Sequence, residues 1–176
     1  DGNTPLNQKG TGSQRLLSMG LNIQSSAGNA LLVIDEVEGG LEPYRLRSLL
    51  NEFRITHVSS GQVIMTTHSP IAVAECTIGE LLVVQSKSGQ TDVFPLKGED
   101  PETNATIQAQ IRKNAEAFLC KRLIVCEGKT EIGFVRALDT YLAKTKNYRM
   151  AFKGVGTADG GGSTIFTCTE LLRSCG

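Results

Sequence analysis

Five consecutive apolar residues, Ala30 to Ile34, run directly into two acids, Asp35 and Glu36, and no other stretch of the chain restricts its possible folds as much. A run that is apolar throughout, with Val33 and Ile34 β-branched, reads as a central strand covered on both faces. The acids then stand at the carboxyl end of the strand, where open α/β sheets gather their ligands. Paired carboxylates in that place suit a nucleotide-bound magnesium ion: one holds the hydrated metal and the next orients or deprotonates a water. The same pattern also fits an ordinary strand whose end is solvated by acids, so the flanking sequence has to separate the two.

Upstream, Lys9-Gly-Thr-Gly-Ser-Gln-Arg-Leu-Leu-Ser-Met-Gly-Leu places a small-residue loop ahead of a helical pattern. Ser13 is the expected N-cap, with Leu16, Leu17 and Leu21 on the apolar side. Such a loop offers backbone N–H groups to an anion, or is simply a linker to a capped amphipathic helix. No Gly-x-x-x-x-Gly-Lys-Ser/Thr occurs, so the segment is not a P-loop. Downstream, Gly39-Gly40 breaks the chain, and Leu46, Leu49, Leu50 and Phe53 follow at helical spacing. Gln62-Val-Ile-Met-Thr-Thr-His-Ser-Pro is a second short strand, expected beside the first and ending in Thr66, Thr67 and His68. A lone histidine is commonly structural, but this one shares a strand-end position with Asp35 and Glu36, which favours a ligand-facing role.

Leu81-Leu-Val-Val-Gln-Ser and Thr91-Asp-Val-Phe-Pro-Leu, around Lys87-Ser-Gly-Gln, predict a β-hairpin whose second strand ends or lies at an edge at Pro95. Residues Lys97 to Pro101 are polar and turn-forming, a natural boundary. Thr103 to Phe118 has helical composition with Ile107, Ile111, Ala115 and Phe118 on one stripe, a packing or connecting helix. Lys121-Arg-Leu-Ile-Val-Cys-Glu-Gly-Lys-Thr-Glu then repeats the opening theme: an apolar strand, Leu123 to Cys126, ends in Glu127. Gly128 permits a tight turn and Thr130 can cap a helix through Phe134, Leu138 and Leu142. Glu127 and Glu131, one at a strand tip and one in the first helical turn, could share a metal ion; Glu131 could equally complement the helix dipole. Asp159-Gly-Gly-Gly-Ser163 reads as a Gly-rich turn with Ser163 capping a helix over Thr164 to Arg173, and less readily as a phosphate cradle.

Composition narrows the class. Lys plus Arg and Asp plus Glu both number 18, so there is no global basic field, and contact with nucleic acid needs a local patch. No apolar run approaches a membrane span and no secretory signal opens the chain. The five cysteines include no Cys-x-x-Cys, and only two histidines are present, which argues against a zinc site or a disulfide framework and for a reduced, cytoplasmic protein. The absence of an initiator methionine, and an end at Gly176 just after a helical pattern, lead us to expect a fragment of a longer protein.

Three segments in order resemble the signature, Walker B and switch histidine of ABC-type ATPases: Gly12-Ser-Gln14, Leu31-Leu-Val-Ile-Asp-Glu36 and Thr66-Thr-His-Ser-Pro70. Glu38-Gly-Gly-Leu-Glu-Pro is similar to the RecF/SMC-like branch, in particular to the OLD-family nucleases. The resemblance implies that Asp35 holds magnesium through water, Glu36 polarises the hydrolytic water and His68 senses the γ-phosphate. Ser13, flanked by Gly12 and Gln14, would reach the γ-phosphate of a partner subunit. The Walker A loop is absent and would lie upstream of Asp1, so the isolated chain is expected not to turn over ATP.

Glu127-Gly-Lys-Thr-Glu131 resembles the opening motif of TOPRIM domains, in which Glu127 would be a metal ligand and acid/base residue and Glu131 a second acid. The Asp-x-Asp pair that normally follows does not occur; the late acids are Asp159 and Glu170. The two resemblances together imply an α/β chain: the C-terminal part of an ABC/RecF-like ATPase sheet (1–97), a connecting helix (98–119) and the first half of a Rossmann-like TOPRIM domain (120–176). They imply an OLD-type, ATP-controlled endonuclease using Mg2+ or Mn2+ to cut DNA, assembled as a homodimer or higher homo-oligomer through the ATPase domain. A role in phage defence, with an accessory defence protein as a possible partner, belongs to the same expectation. A RecF/SMC-like DNA clamp and a TOPRIM adaptor without nuclease activity are the rival readings.

Overall fold

The computed structural model describes residues 5, 10–25, 30–57, 61–96 and 100–174, and the chain divides into two compact units, Asp1–Glu75 and Cys76–Gly176. In the first unit, helix α1 (Thr11–Ser25) precedes strand β1 (Ala30–Ile34), and helix α2 (Pro43–His57) leads to strand β2 (Gly61–Met65) and the short helix α3 (Pro70–Glu75). β1 and β2 pair in parallel with Ile34 opposite Met65, so the expected neighbours are neighbours and their carboxyl ends coincide.

The core of this unit is built on one face of that sheet. Met19, Ile34, Val37, Leu46, Leu49, Leu50, Phe53 and Ala72 are buried together, with Leu16, Leu32, Val63 and Met65 packed against them. The helical spacing of the leucines in α2 is what turns that stripe inward. The expectation of a strand covered on both faces needs correction: Leu31, Val33 and Ile64 point away from the core and stay exposed. Residues alternate sides along a strand, and among the described residues the helices contribute to one core only. Leu17 and Leu21, expected on the apolar side of α1, are likewise exposed, while Leu16 and Met19 carry the packing.

The second unit opens with a 3-10 turn, Ile78–Glu80, and a hairpin of β3 (Leu82–Lys87) and β4 (Gln90–Pro95). Ser88 and Gly89 form its two-residue loop with φ of 53° and 82°, the left-handed pair that matches strand twist in tight hairpins. Helix α4 (Pro101–Lys113) follows, capped by Asp100, whose carboxylate accepts from the N–H groups of Glu102 and Thr103. It stops at Asn114, and Ala115–Leu119 is a 3-10 turn rather than the continuous helix to Phe118 that the stripe suggests. Strand β5 (Arg122–Cys126), helix α5 (Lys129–Lys146) and strand β6 (Val155–Asp159) form a βαβ unit with parallel strands, and helix α6 (Ile165–Ser174) closes the unit.

The units divide after Glu75, and α4 lies within the second unit. The side-chain amide of Gln108 accepts from Ile78 N–H (2.7 Å) and donates to the Cys76 carbonyl (3.0 Å), fastening α4 to the start of the unit. Gln110 donates to Thr164 Oγ1 at 3.2 Å. Ala117, Ala158 and Cys168 form a small buried cluster with Leu123, Val125 and Leu172 against it. In α5 the buried residue is Ile132, whereas Phe134 and Leu138, on the expected stripe, are exposed. Among the described residues no disulfide joins the cysteines, and no helix is long and apolar enough to cross a membrane.

Candidate functional site

At the carboxyl end of β1 the backbone turns abruptly, with Glu36 at φ 48°, a left-handed conformation that a non-glycine residue rarely adopts. Hydrogen bonds to the end of β2 hold it there. Thr66 N–H donates to the Ile34 carbonyl (2.9 Å), Val37 N–H to the Thr66 carbonyl (3.0 Å) and Glu36 N–H to Thr66 Oγ1 (2.8 Å). The Thr66 hydroxyl in turn donates to Asp35 Oδ1 at 2.5 Å. Asp35, Glu36 and His68 are all exposed on this rim, so the three residues singled out from sequence share one strand-end edge.

Glu38 joins them. Its Oε1 accepts from His68 N–H (2.5 Å) and its Oε2 from the Thr67 hydroxyl (2.6 Å). Burial pushes its carboxyl pKa up, but the hydrogen bonds from Thr67 and His68 and the nearby imidazole outweigh this, and the net result lies below the ordinary value. Arg15 binds the turn from the other side. Its guanidinium donates to the carbonyl oxygens of Asp35 and Glu36, the latter at 2.7 Å, so α1 is clamped to the acidic turn. Glu38 entered the sequence reading only as the first residue of Glu38-Gly-Gly-Leu-Glu-Pro, with no role of its own, and Arg15 did not stand out. Glu38 lies two residues past the acid pair, but Arg15 acts on backbone carbonyls 20 and 21 residues away, which leaves no pattern to read.

The glycine-serine segment differs from expectation in its local geometry. α1 begins at Thr11, so Ser13 lies inside the first turn rather than at the cap, and the Gly10 carbonyl accepts from Ser13 N–H (3.0 Å) and Gln14 N–H (3.2 Å). The Ser13 hydroxyl accepts from Arg45 Nη1 at 3.0 Å. Gly12 is buried where the helix touches the loop after Glu38: a Cβ there would stand 1.9 Å from the Gly40 carbonyl oxygen. Gln14 is half-buried in the same turn.

This rim fits the carboxylate side of a nucleotide–metal site. Magnesium keeps most of its waters and takes one or two carboxylates plus phosphate oxygens. Asp35, exposed and oriented by Thr66 through one oxygen, supplies that kind of ligand.

In the second unit Glu127 is exposed at the tip of β5, as its sequence position suggests, not turned into the interior. Glu131 is committed to the helix start, where its Oε2 accepts from Gly128 N–H at 2.9 Å. Gly128, not Thr130, is the N-cap of α5. The glycine-rich turn after β6 wraps the same strand tip: Gly160 N–H donates to the Cys126 carbonyl (2.7 Å) and Gly162 N–H to the Glu127 carbonyl (2.9 Å). Gly161 N–H donates to Asp159 Oδ1 at 3.0 Å. With all three amides engaged, the turn is not a phosphate cradle. The helix beyond it begins at Ile165, and it is Thr164, not Ser163, whose hydroxyl donates back to the Gly160 carbonyl at 2.5 Å.

Asp159 is the electrostatic centre of this turn. Its carboxylate, 9% exposed, sits 2.8 Å from Lys113 Nζ and 3.1 Å from Lys129 Nζ. Those two lysines, against the opposing effect of burial, bring its pKa down to about 2. Asn114 fixes the adjacent backbone, accepting from Asp159 N–H (2.8 Å) and donating to the Asp159 carbonyl (3.0 Å). Burial, followed by the negative charges of Glu131 and Asp159, raises the Cys126 thiol, which makes it a poor nucleophile. Among the described residues no three of His, Cys, Asp and Glu converge as metal ligands, so the acids of this unit do not by themselves compose a metal cage. An open cavity of about 300 Å3 lies beside Arg136, Asp139 and Thr157, on the amino-terminal part of β6 and away from these acids.

No curated protein matches the chain. Residues 1–74 match the family model described as an AAA domain, putative AbiEii toxin, of a type IV toxin–antitoxin system. The matched segment takes in the whole acidic rim from Arg15 to His68, so the first unit is similar to an ATPase-type domain.

Proposed function

We propose that the first unit supplies one half of an ATP hydrolysis site, and that the second unit is the opening of a TOPRIM-like module through which ATP turnover controls cleavage of DNA, as in OLD-family endonucleases. The observation that carries the first half is the shared strand-end rim of Asp35, Glu36 and His68, the two acids joined through Thr66 and His68 tied to the same turn through Glu38. Asp35 would hold the hydrated magnesium (or manganese) of bound ATP. Glu36 would accept the proton of the attacking water, and His68 would read the γ-phosphate. Ser13, held by Arg45 between Gly12 and Gln14, would address the γ-phosphate of a second subunit, which makes a homodimer or larger homo-oligomer the working state. Charge stabilisation by the metal and proton removal by a positioned carboxylate are separate contributions, and the second is ordinarily worth about 10²- to 10⁴-fold in rate.

For DNA cleavage the support is the exposed Glu127 at the tip of a parallel strand, with Glu131 one helical turn beyond. Phage defence, in the cytoplasm and with an accessory protein, is the setting this reading suggests. A second reading, a DNA-clamping ATPase or adaptor with an inactive module, is favoured by the engagement of Asp159 with two lysines and of Glu131 with the helix cap.

One experiment on the full-length protein separates them. Glu36→Gln should retain ATP binding and lose turnover by about 10²-fold or more; unchanged turnover refutes the assignment of the base. Glu127→Ala should abolish nicking of supercoiled DNA while sparing ATP turnover. A wild-type protein that hydrolyses ATP but never nicks DNA establishes the clamp reading instead.

A further inference from the structure

The hydrogen bonds of Glu38 carry an inference beyond the roles of Asp35, Glu36 and His68. One carboxylate spans two consecutive residues at the end of β2, taking the Thr67 hydroxyl on Oε2 and the His68 N–H on Oε1. Thr67 Oγ1 is itself oriented, because Ser69 N–H donates to it at 3.0 Å, which directs the hydroxyl hydrogen at Glu38. Hydrogen bonds to an ionised carboxylate are short and strong. Glu38 and the catalytic candidate Glu36 lie on the same turn, which Val37 N–H ties to the Thr66 carbonyl at 3.0 Å. A movement of the acidic turn is therefore transmitted to the backbone that bears the imidazole, and the reverse.

We propose that Glu38 is a positioning residue for His68: its carboxylate fixes the main chain at Thr67 and His68 so that the imidazole is held at the γ-phosphate while the acidic turn is in its hydrolytic arrangement. The inference rests on the reading of His68 as the γ-phosphate sensor. A group that acts through another has a defined kinetic signature: its removal lowers kcat more than it alters KM, and the effect disappears once the second group is gone.

The test is a double-mutant cycle on ATP turnover by the full-length protein, with Glu38→Ala, His68→Ala and the double variant. Glu38→Ala should lower kcat about ten- to a hundred-fold, the scale of a misplaced catalytic group, with the KM for ATP within about two-fold of wild type. The double variant should be no slower than His68→Ala within about two-fold. Glu38→Gln, which keeps the volume, guards against loss of folding. Its single carbonyl oxygen replaces one of the two acceptors, so it should fall between wild type and Glu38→Ala at unchanged circular dichroism. A Glu38→Ala variant at the wild-type rate, or a double variant slowed by the product of the two single effects, overturns the inference while leaving the site reading intact. A His68→Ala variant at the wild-type rate overturns both.

Discussion

Replacing Asp159 by Asn tests whether the electrostatics of the glycine-rich turn stabilise the second unit. The substitution keeps the shape and an oxygen for Gly161 N–H, and removes the negative charge that Lys113 and Lys129 contact. A fall of the carboxyl pKa from 3.8 to about 2 corresponds to about 2.5 kcal/mol at 1.36 kcal/mol per unit. The Lys129 side chain is 83% exposed and that of Lys113 37%, so solvent screening reduces the usable part to about 1–2 kcal/mol. Because the folded-state pKa is depressed, this stabilisation is complete above the unfolded value near 4 and is lost as pH falls through the folded value near 2. Amide hydrogen exchange at Thr157 and Ala158 of β6 reads it locally, without assuming that two units unfold as one. At pH 7 the Asn variant should lose protection by about 5- to 30-fold, and at pH 3 the gap from wild type should shrink to about half in free energy. Equal protection at pH 7, or a gap that widens as pH falls, refutes the argument.

Two further outcomes follow from packing in the first unit. Gly12→Ala places a methyl group against the main chain of Gly40, 1.9 Å from its oxygen and 2.9 Å from its carbon, and should cost about 1–3 kcal/mol or more; a thermal melt with an unchanged midpoint contradicts this. Leu46, 1% exposed among Val37, Leu49, Leu50 and Phe53, should cost about 2–5 kcal/mol as Leu46→Ala, measured by urea unfolding, and a loss below about 1 kcal/mol would show that the pocket collapses freely.

The sequence by itself located β1 to β5 and the acids at the tips of β1 and β5, but not β6 (Val155–Asp159). Ala30–Ile34, Gln62–Met65 and Leu123–Cys126 are apolar runs bounded by breakers, and an acid or histidine at a strand end is visible in one dimension. It also located the hairpin, because Ser88-Gly89 between two β-rich runs is a local signal. Element starts were less legible. Ser13, Thr130 and Ser163 are good capping residues by type, yet the helices begin around Gly10, Gly128 and Thr164, since a cap depends on which backbone groups the preceding loop leaves to be satisfied.

Tertiary structure alone decided which groups are committed and which are exposed. Nothing local says that Asp159 is held by lysines from α4 and α5, or that Arg15 grips the carbonyls of the acidic turn. Which face of β1 is buried was also settled by the helices packed on it, because a fully apolar strand carries no alternation from which to choose. Charge pairing and burial are pairwise properties of residues 20 to 50 positions apart, and a single sequence records the residues but not the pairs.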